Sequence, residues 1–218
     1  DGRAEALMKG KLHTDELLDA VLDRKLGLRT ERRLSHVFAL DVPEQDRLLF
    51  ITDAAINIAP DLSTLADIVQ NALDLALALG IEMPRAALLS AVETVTGKMP
   101  STLLAAAICK MHDRGQIIGG LLDGPLAFDN AISPDAVAAK GIVSDVAGRA
   151  DILVAPDLES ANMISKQLIH LARAEAAGVA LGARVPIMLT SRSDSAAARL
   201  ASSALARLLA AAAPDKVI

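Results

Sequence analysis

A layered α/β fold with a mainly parallel sheet is what this sequence predicts, and three observations predict it. Short aliphatic runs alternate with amphipathic stretches of about 15 residues, the rhythm of strands joined by right-handed helical crossovers. Runs such as Ile152–Ala155 and Ile187–Leu189 are apolar at every position, as in strands covered on both faces. The apolar residues are almost all aliphatic: 52% of the 218 residues are hydrophobic, with 3 Phe and no Trp or Tyr.

The opening stretch, residues 4–34, shows helix and loop with no clear strand. Residues 36–42 and 47–52 are predicted strands around a Pro-Glu-Gln-Asp turn. A helix is expected over 61–80, with Asp61 or Ser63 to cap its start and Gly80 to close its end. A strand at 86–92, a helix at 99–115 ending on Gly115, and strands at 117–124 and 150–156 follow. A helix over 159–178 is again closed by glycine; strands at 178–182 and 185–191 lead into a last helix at 194–212.

Composition narrows the function. The length suits one large domain or two small ones, and the hydrophobic content excludes disorder over most of the chain. A formal charge of −5 gives no reason to expect a nucleic-acid backbone as partner. Base-stacking modules also need aromatic platforms, which are missing. Cys109 is the only cysteine, so no disulfide framework or cysteine zinc site is expected, and a cytoplasmic setting fits. No apolar run approaches the roughly 20 residues of a membrane span. The first ten residues do not resemble a signal peptide, and their abrupt start, without Met, suggests further residues upstream.

In open parallel sheets, ligands bind beyond the carboxyl ends of strands. Each predicted strand here is followed by a polar cluster, and together these would line one edge. The cluster Thr190–Ser195 (TSRSDS) is the best anion candidate. Ser193 or Asp194 could cap the helix that follows, whose free N–H groups attract anions. Arg192 adds a fork matched to phosphate oxygens, and Ser191 adds a hydroxyl. A plain helix cap beside a surface arginine is the competing reading. Arg29, Arg32 and Arg33 form a second basic knot, either a phosphate site or a solvated face. His13, His36, His112 and His170 match no metal spacing and are taken as surface or helix-face histidines. Cys109 is expected to be a buried structural thiol, and Lys98, Lys166 and Met99 surface or core fillers. Phosphate-loop, dinucleotide and nucleophile-elbow motifs are absent.

Several ordered segments together resemble the phosphate acetyltransferase and phosphate butyryltransferase family. They are DRLLFITDAAINIAPDL, AVETVTGKMPST, RGQIIGGLLDGPLAFDNAIS, DVAGRADILVAPDLESAN, KQLIHLARAEAAG and GARVPIMLTSRSDSAAARLAS, and the resemblance runs from about residue 4 to residue 210. The opening GRAEALMKGKLHTDELL with GLRTERRLSHVF is similar to a bifunctional subgroup in which an enoyl-CoA hydratase-like domain precedes the transferase.

The resemblance implies a two-domain fold of the isocitrate/isopropylmalate-dehydrogenase-like type. Residues 1–46 and 190–218 would belong to a first α/β domain, partial here, and residues 47–189 to the second. It implies exchange of an acyl group between acyl-CoA and inorganic phosphate, with coenzyme A and phosphate as substrates, no tightly bound cofactor, no metal and a homodimer. Ser191 would stabilise the transition state, Arg192 would hold phosphate, and Asp194 would take the thiol proton. Lys9, Arg29, Ser35, Asn162 and Lys166 would contact phosphate or CoA.

The chain departs from the family at Ala161 and Ser165, where relatives often carry Gly and Tyr. It departs again at Leu18 and Asp19, where a first-domain arginine is common. These departures motivate an alternative: a non-catalytic dimerisation or scaffold domain beside a hydratase-like domain. A dehydrogenase of the same fold would want a metal-binding carboxylate cluster, whereas Asp53, Asp123, Asp129 and Asp157 fall on separate strand ends.

Overall fold

A computed structural model describes residues 4–191 and 194–212. Its strands form one eight-stranded sheet. In chain order they are β1 (Leu7–Met8), β2 (Ser35–Asp41), β3 (Leu49–Thr52), β4 (Arg85–Leu89), β5 (Leu121–Leu126), β6 (Ile152–Val154), β7 (Glu175–Leu181) and β8 (Ile187–Met188). The order across the sheet is β1-β8-β7-β2-β3-β6-β4-β5. The helices are α1 (Thr14–Val21), α2 (Leu62–Ala78), α3 (Pro100–Asp113), α4 (Phe128–Ile132), α5 (Pro134–Lys140), α6 (Leu158–His170) and α7 (Ala196–Ala212).

The sheet is mixed rather than mainly parallel. β3, β6, β4 and β5 pair parallel, as do β1 and β8. β2 pairs antiparallel with both β3 and β7, and β7 pairs antiparallel with β8. The reason is connection length: β2 joins β3, and β7 joins β8, through turns too short for the helical crossover that parallel neighbours need.

Alternation along the strands sorts side chains into two large cores, with a third, smaller cluster of Val21, Leu34, Ala180, Ala183 and Ile187. Val37, Ala39, Phe50, Leu88 and Val154 face α2, α3 and the end of α7, with Leu73, Ile108 and Leu205. Leu40, Ile51, Ala87 and Leu153 face the other way, against α4 and α6 through Ala131 and Ala161. Full burial of each large aliphatic side chain contributes about 1.5–3 kcal/mol. The Asp61 carboxylate caps α2 by accepting from Thr64 N at 2.8 Å. Gly80 and Gly115 follow α2 and α3 at φ +88° and +72°, the left-handed turn that glycine takes at low cost.

Elsewhere the elements differ from expectation. The helix expected to reach residue 178 stops at His170, and its last four residues are the start of β7. Ala and Glu there favour helix locally, but Glu175 and Ala176 pair with Asp41 and Leu40, and this pairing wins. Gly178 is therefore a mid-strand residue, not a helix cap. A Cβ at Gly178 would lie 2.8 Å from His36 Nε2, so the glycine permits close approach of the imidazole. The strand expected at 117–124 lies at Leu121–Leu126 because Gly119, at φ +96°, still belongs to a turn. The strand expected at 185–191 shortens to Ile187–Met188, and the opening stretch holds a strand, β1, paired to it. The polar run after β5 folds as α4 and α5. Among the described residues, no helix is long and apolar enough to cross a membrane.

Candidate active site

β8 runs opposite to β3, β4, β5 and β6, so the turn after it does not share their carboxyl edge. The polar clusters consequently do not line one edge, and several are spent on their own turns. Ser90 bonds Ser101 at 2.8 Å, and the Thr102 hydroxyl donates to Thr96 O at 2.9 Å. The site instead forms over the face of β2, where three segments converge.

The first segment is the parallel pair β1 and β8. Lys9 N donates to Met188 O at 2.9 Å, and the Thr190 hydroxyl donates to Lys9 O at 3.1 Å, which sets Lys9 beside the 189–191 turn. The second is the loop after β3, clamped by the buried Asp53 carboxylate. It accepts from His36 N at 3.1 Å, Ala55 N at 3.0 Å, Ile56 N at 3.1 Å, Asn57 N at 3.1 Å and Asn57 Nδ2 at 2.6 Å. Burial pushes the Asp53 carboxyl above its ordinary range, and these hydrogen bonds oppose that push. The third is α6, where Asn162 and Lys166 are one turn apart on one face. Asn162 Nδ2 donates to Ala54 O at 3.1 Å and ties α6 to the clamped loop.

Between them lies a cavity of about 440 Å³. Lys9, His13, Thr14, His36, Lys166 and Ser191 supply most of its polar wall, with Asn162 and Thr190, and no carboxylate is among its lining residues. Lys9 is buried, and its ammonium donates to Leu12 O at 3.2 Å. Lys166 makes no ion pair among the described residues. Two cations without a counter-charge in a concave wall favour an anionic ligand.

A second cavity of about 240 Å³ shares Phe38, Lys166, Leu189 and Thr190 with the first and adds Asp194 and Ser195. Asp194 Oδ2 accepts from Ser191 N at 2.6 Å, and Asp194 N donates to Ser191 O at 3.2 Å, which closes the turn on itself. The Ser195 side chain accepts from the first turn of α7, at Ala198 N and 3.1 Å. Arg192 and Ser193 lie outside the described residues.

Of the residues singled out in the sequence, Lys9, Asn162, Lys166 and Ser191 thus come together, with Asp194 just across the shared wall. Arg29 and Ser35 do not join them. Arg29 lines a separate cavity of about 130 Å³ with Arg32, Arg33 and Asn57. Ser35 is fully buried, and its hydroxyl accepts from Asn71 Nδ2 at 2.8 Å. The carboxylates Asp53 and Asp157 also have separate tasks, one as the loop clamp and the other as the cap of α6. Among the described residues, no group of three His, Cys, Asp or Glu side chains is placed to hold a metal ion. The Cys109 thiol is part-buried, and burial, then Asp123 and Asp113, push its pKa up to about 12.

His36 is the residue the sequence reading missed. It is buried in β2, not on a surface, and it lines the larger cavity. Burial, reinforced by the Lys166 charge, lowers its pKa to about 4. Its ring meets Phe38 edge to face, with centroids 4.6 Å apart. The available signal was its parity: His36 alternates with Phe38 and Leu40, an ionisable group in an otherwise apolar strand face.

The family described as Phosphate acetyl/butaryl transferase matches residues 1–207. The chain belongs to the phosphate acetyl/butyryl transferase family. It is 64% identical over 211 residues to the phosphate acetyltransferase of Rhizobium meliloti, covering 97% of this chain and 67% of that protein. It is 58% identical over 205 residues to the phosphate acetyltransferase of Rickettsia felis, covering 94% of this chain and 59% of that protein. The chain therefore spans about three fifths to two thirds of the length of these relatives. A solved branched-chain phosphotransacylase from Enterococcus faecalis V583 superposes with a TM-score of 0.88 at 38% identity, covering 96% of this chain and 75% of that one. The mixed α/β sheet is thus the architecture of a family member.

Proposed function

We propose that the protein containing this chain exchanges the acyl group of acyl-CoA, acetyl or butyryl in type, with inorganic phosphate, giving acyl phosphate and CoA. The observation that carries the reading is the carboxylate-free cavity in which Lys9 and Lys166 stand without a counter-charge beside Ser191. In the direction of acyl-CoA synthesis, the CoA thiol gives its proton to Asp194 and sulfur attacks the acyl phosphate carbonyl. The Ser191 hydroxyl donates to the oxygen that becomes negative. The C–S bond forms, the C–O bond to phosphate breaks, and the proton taken up by Asp194 is passed on to the departing phosphate, which leaves as a dianion held by Lys9, Lys166 and Arg192. A thiol with an ordinary pKa near 8.5 benefits from such a base at neutral pH.

Asn162 supports the wall through Ala54. Arg29 is assigned to the outer phosphates of CoA rather than the reacting one, and Ser35 to holding Asn71. In the longer protein, residues 1–46 and 190–218 would complete a first domain against 47–189, in the isocitrate/isopropylmalate-dehydrogenase-like manner. The two-residue edge strand β1, which further strands would extend, supports this. A homodimer through the exposed Leu200 and Leu208 of α7, an upstream hydratase-like domain and a cytoplasmic location belong to the same proposal. A purely scaffolding domain is not favoured, since it has no use for a buried Lys9 and a part-buried Lys166 that form no ion pair among the described residues.

The test is phosphate-dependent release of CoA from acetyl-CoA and butyryl-CoA by the full-length protein, followed with a thiol reagent. Turnover with either substrate is the expected result. Intact CoA binding without turnover on either would overturn the reading.

A further inference from the structure

Among the described residues, three buried side-chain polar atoms have no hydrogen-bond partner: His36 Nδ1, Arg85 Nε and Asn130 Oδ1. Of these three residues, only His36 lines the cavity that holds Lys9, Lys166 and Ser191. A buried polar atom without a partner is a standing cost, and a ligand that supplies the partner removes it.

The surroundings fix the imidazole in place. Its backbone N–H is held by Asp53 at 3.1 Å, and its carbonyl accepts from the Thr52 hydroxyl at 3.0 Å. Phe38 packs edge-on against the ring at a centroid distance of 4.6 Å. Gly178 leaves room behind it: a Cβ there would stand 2.8 Å from Nε2 and 3.2 Å from the Phe38 ring. Any larger residue at 178 would require the ring to shift.

We propose that His36 is a phosphate-binding residue of this cavity, its neutral imidazole donating a hydrogen bond to an oxygen of the phosphate whose charge Lys166 and Lys9 balance. The inference rests on the acyl-transfer reading and adds a residue to it. A neutral donor suits the position. A third cation beside two ammonium groups would repel them, whereas a neutral N–H adds direction without charge. Burial and Lys166 both hold the ring in that neutral form.

The experiment uses the full-length protein and compares His36→Leu, His36→Asn and His36→Gln. The amides of Asn and Gln offer donors near the Nδ1 and Nε2 positions. His36→Leu is expected to raise the KM for inorganic phosphate by about 10–100-fold, the usual effect of losing a hydrogen bond to a charged group. The KM for acetyl-CoA should change by less than about 3-fold, and one of the two amide variants should recover most of the loss. Equal change in both KM values, or no recovery by either amide, would overturn the assignment.

Should His36→Leu fail to fold, ring-labelled histidine in the wild-type protein gives a second readout. Inorganic phosphate should move the His36 imidazole resonances at concentrations near its KM, and a lack of movement at saturating phosphate would overturn the proposal. Wild-type protein without turnover would defeat the acyl-transfer reading. The phosphate titration would still decide whether His36 meets the anion.

Discussion

Two basic cavities among the described residues differ in how their charges are answered. The arginine cavity gathers Arg29, Arg32 and Arg33, three cations within five residues of sequence. Yet Arg32 is ion-paired to Asp74 and also donates to Asn71 Oδ1 at 3.4 Å, and the Arg33 charge is felt by Asp61, whose carboxyl it helps to lower after the hydrogen bonds from Thr64. The lysine cavity draws Lys9 and Lys166 from opposite parts of the chain, and neither forms an ion pair among the described residues. Density of like charge along a sequence therefore says little about a site. What marks one is a cation that folding has half-buried and left without a counter-charge, because only a ligand can then supply the missing charge.

The comparison can be broken most sharply at Lys166. Lys166→Ala in the full-length protein is expected to lower kcat/KM for phosphate by about 10²–10³-fold, the usual effect of removing one preorganised electrostatic contact. Ser191→Ala should cost about 10²-fold in kcat with little change in the phosphate KM, since its hydroxyl is assigned to the transition state. Steady-state kinetics on both variants separates these two roles.

Asp53 links the cavities, since its loop places Ala54 and Ala55 in one wall and Ile56 and Asn57 in the other. Asp53→Ala would strand five donated hydrogen bonds, and urea unfolding should show a loss of about 2–4 kcal/mol.

A pH series sharpens the difference further. His36 has its pKa lowered to about 4 by burial and then by Lys166, whereas the unfolded chain takes up that proton near pH 6.5. Between these values the unfolded state binds more protons, so the His36 contribution to stability is fully present above pH 6.5. It is lost as pH falls toward 4. Urea unfolding of the wild type and His36→Asn across this window should show a shallower pH slope in the variant.

The smallest effect is expected at Arg32, whose ion pair is part-exposed. Arg32→Ala should change stability by less than about 1 kcal/mol and the phosphate KM by less than about 3-fold. Arg29→Ala should likewise spare the phosphate KM and raise that of CoA by a few-fold at most.

Much of the fold was legible because helix and strand periods differ. The amphipathic pattern from Asp61 to Gly80 and the apolar run at Ile152–Val154 gave the right elements. The strand Glu175–Leu181 was hidden because Ala-rich sequence favours helix until β2 pairs with it. The mixed sheet was hidden because chain direction depends on which strands pair, not on their composition. The site was legible where motifs bring residues in, at Ser191, Asn162 and Lys166. It was illegible at His36, whose meaning comes largely from Gly178 and Lys166, two residues far from it in sequence and on other elements. Arg29 stood out in sequence for its neighbours, and those neighbours lie in a different cavity.

The central claim is that the unanswered lysine charges, not the clustered arginines, hold the reacting phosphate. The most direct test is the phosphate KM of Lys166→Ala against that of Arg32→Ala, measured side by side in the full-length protein. The account predicts a rise of at least about 10-fold for Lys166→Ala and less than about 3-fold for Arg32→Ala. Equal effects, or a larger rise for Arg32→Ala, would contradict it.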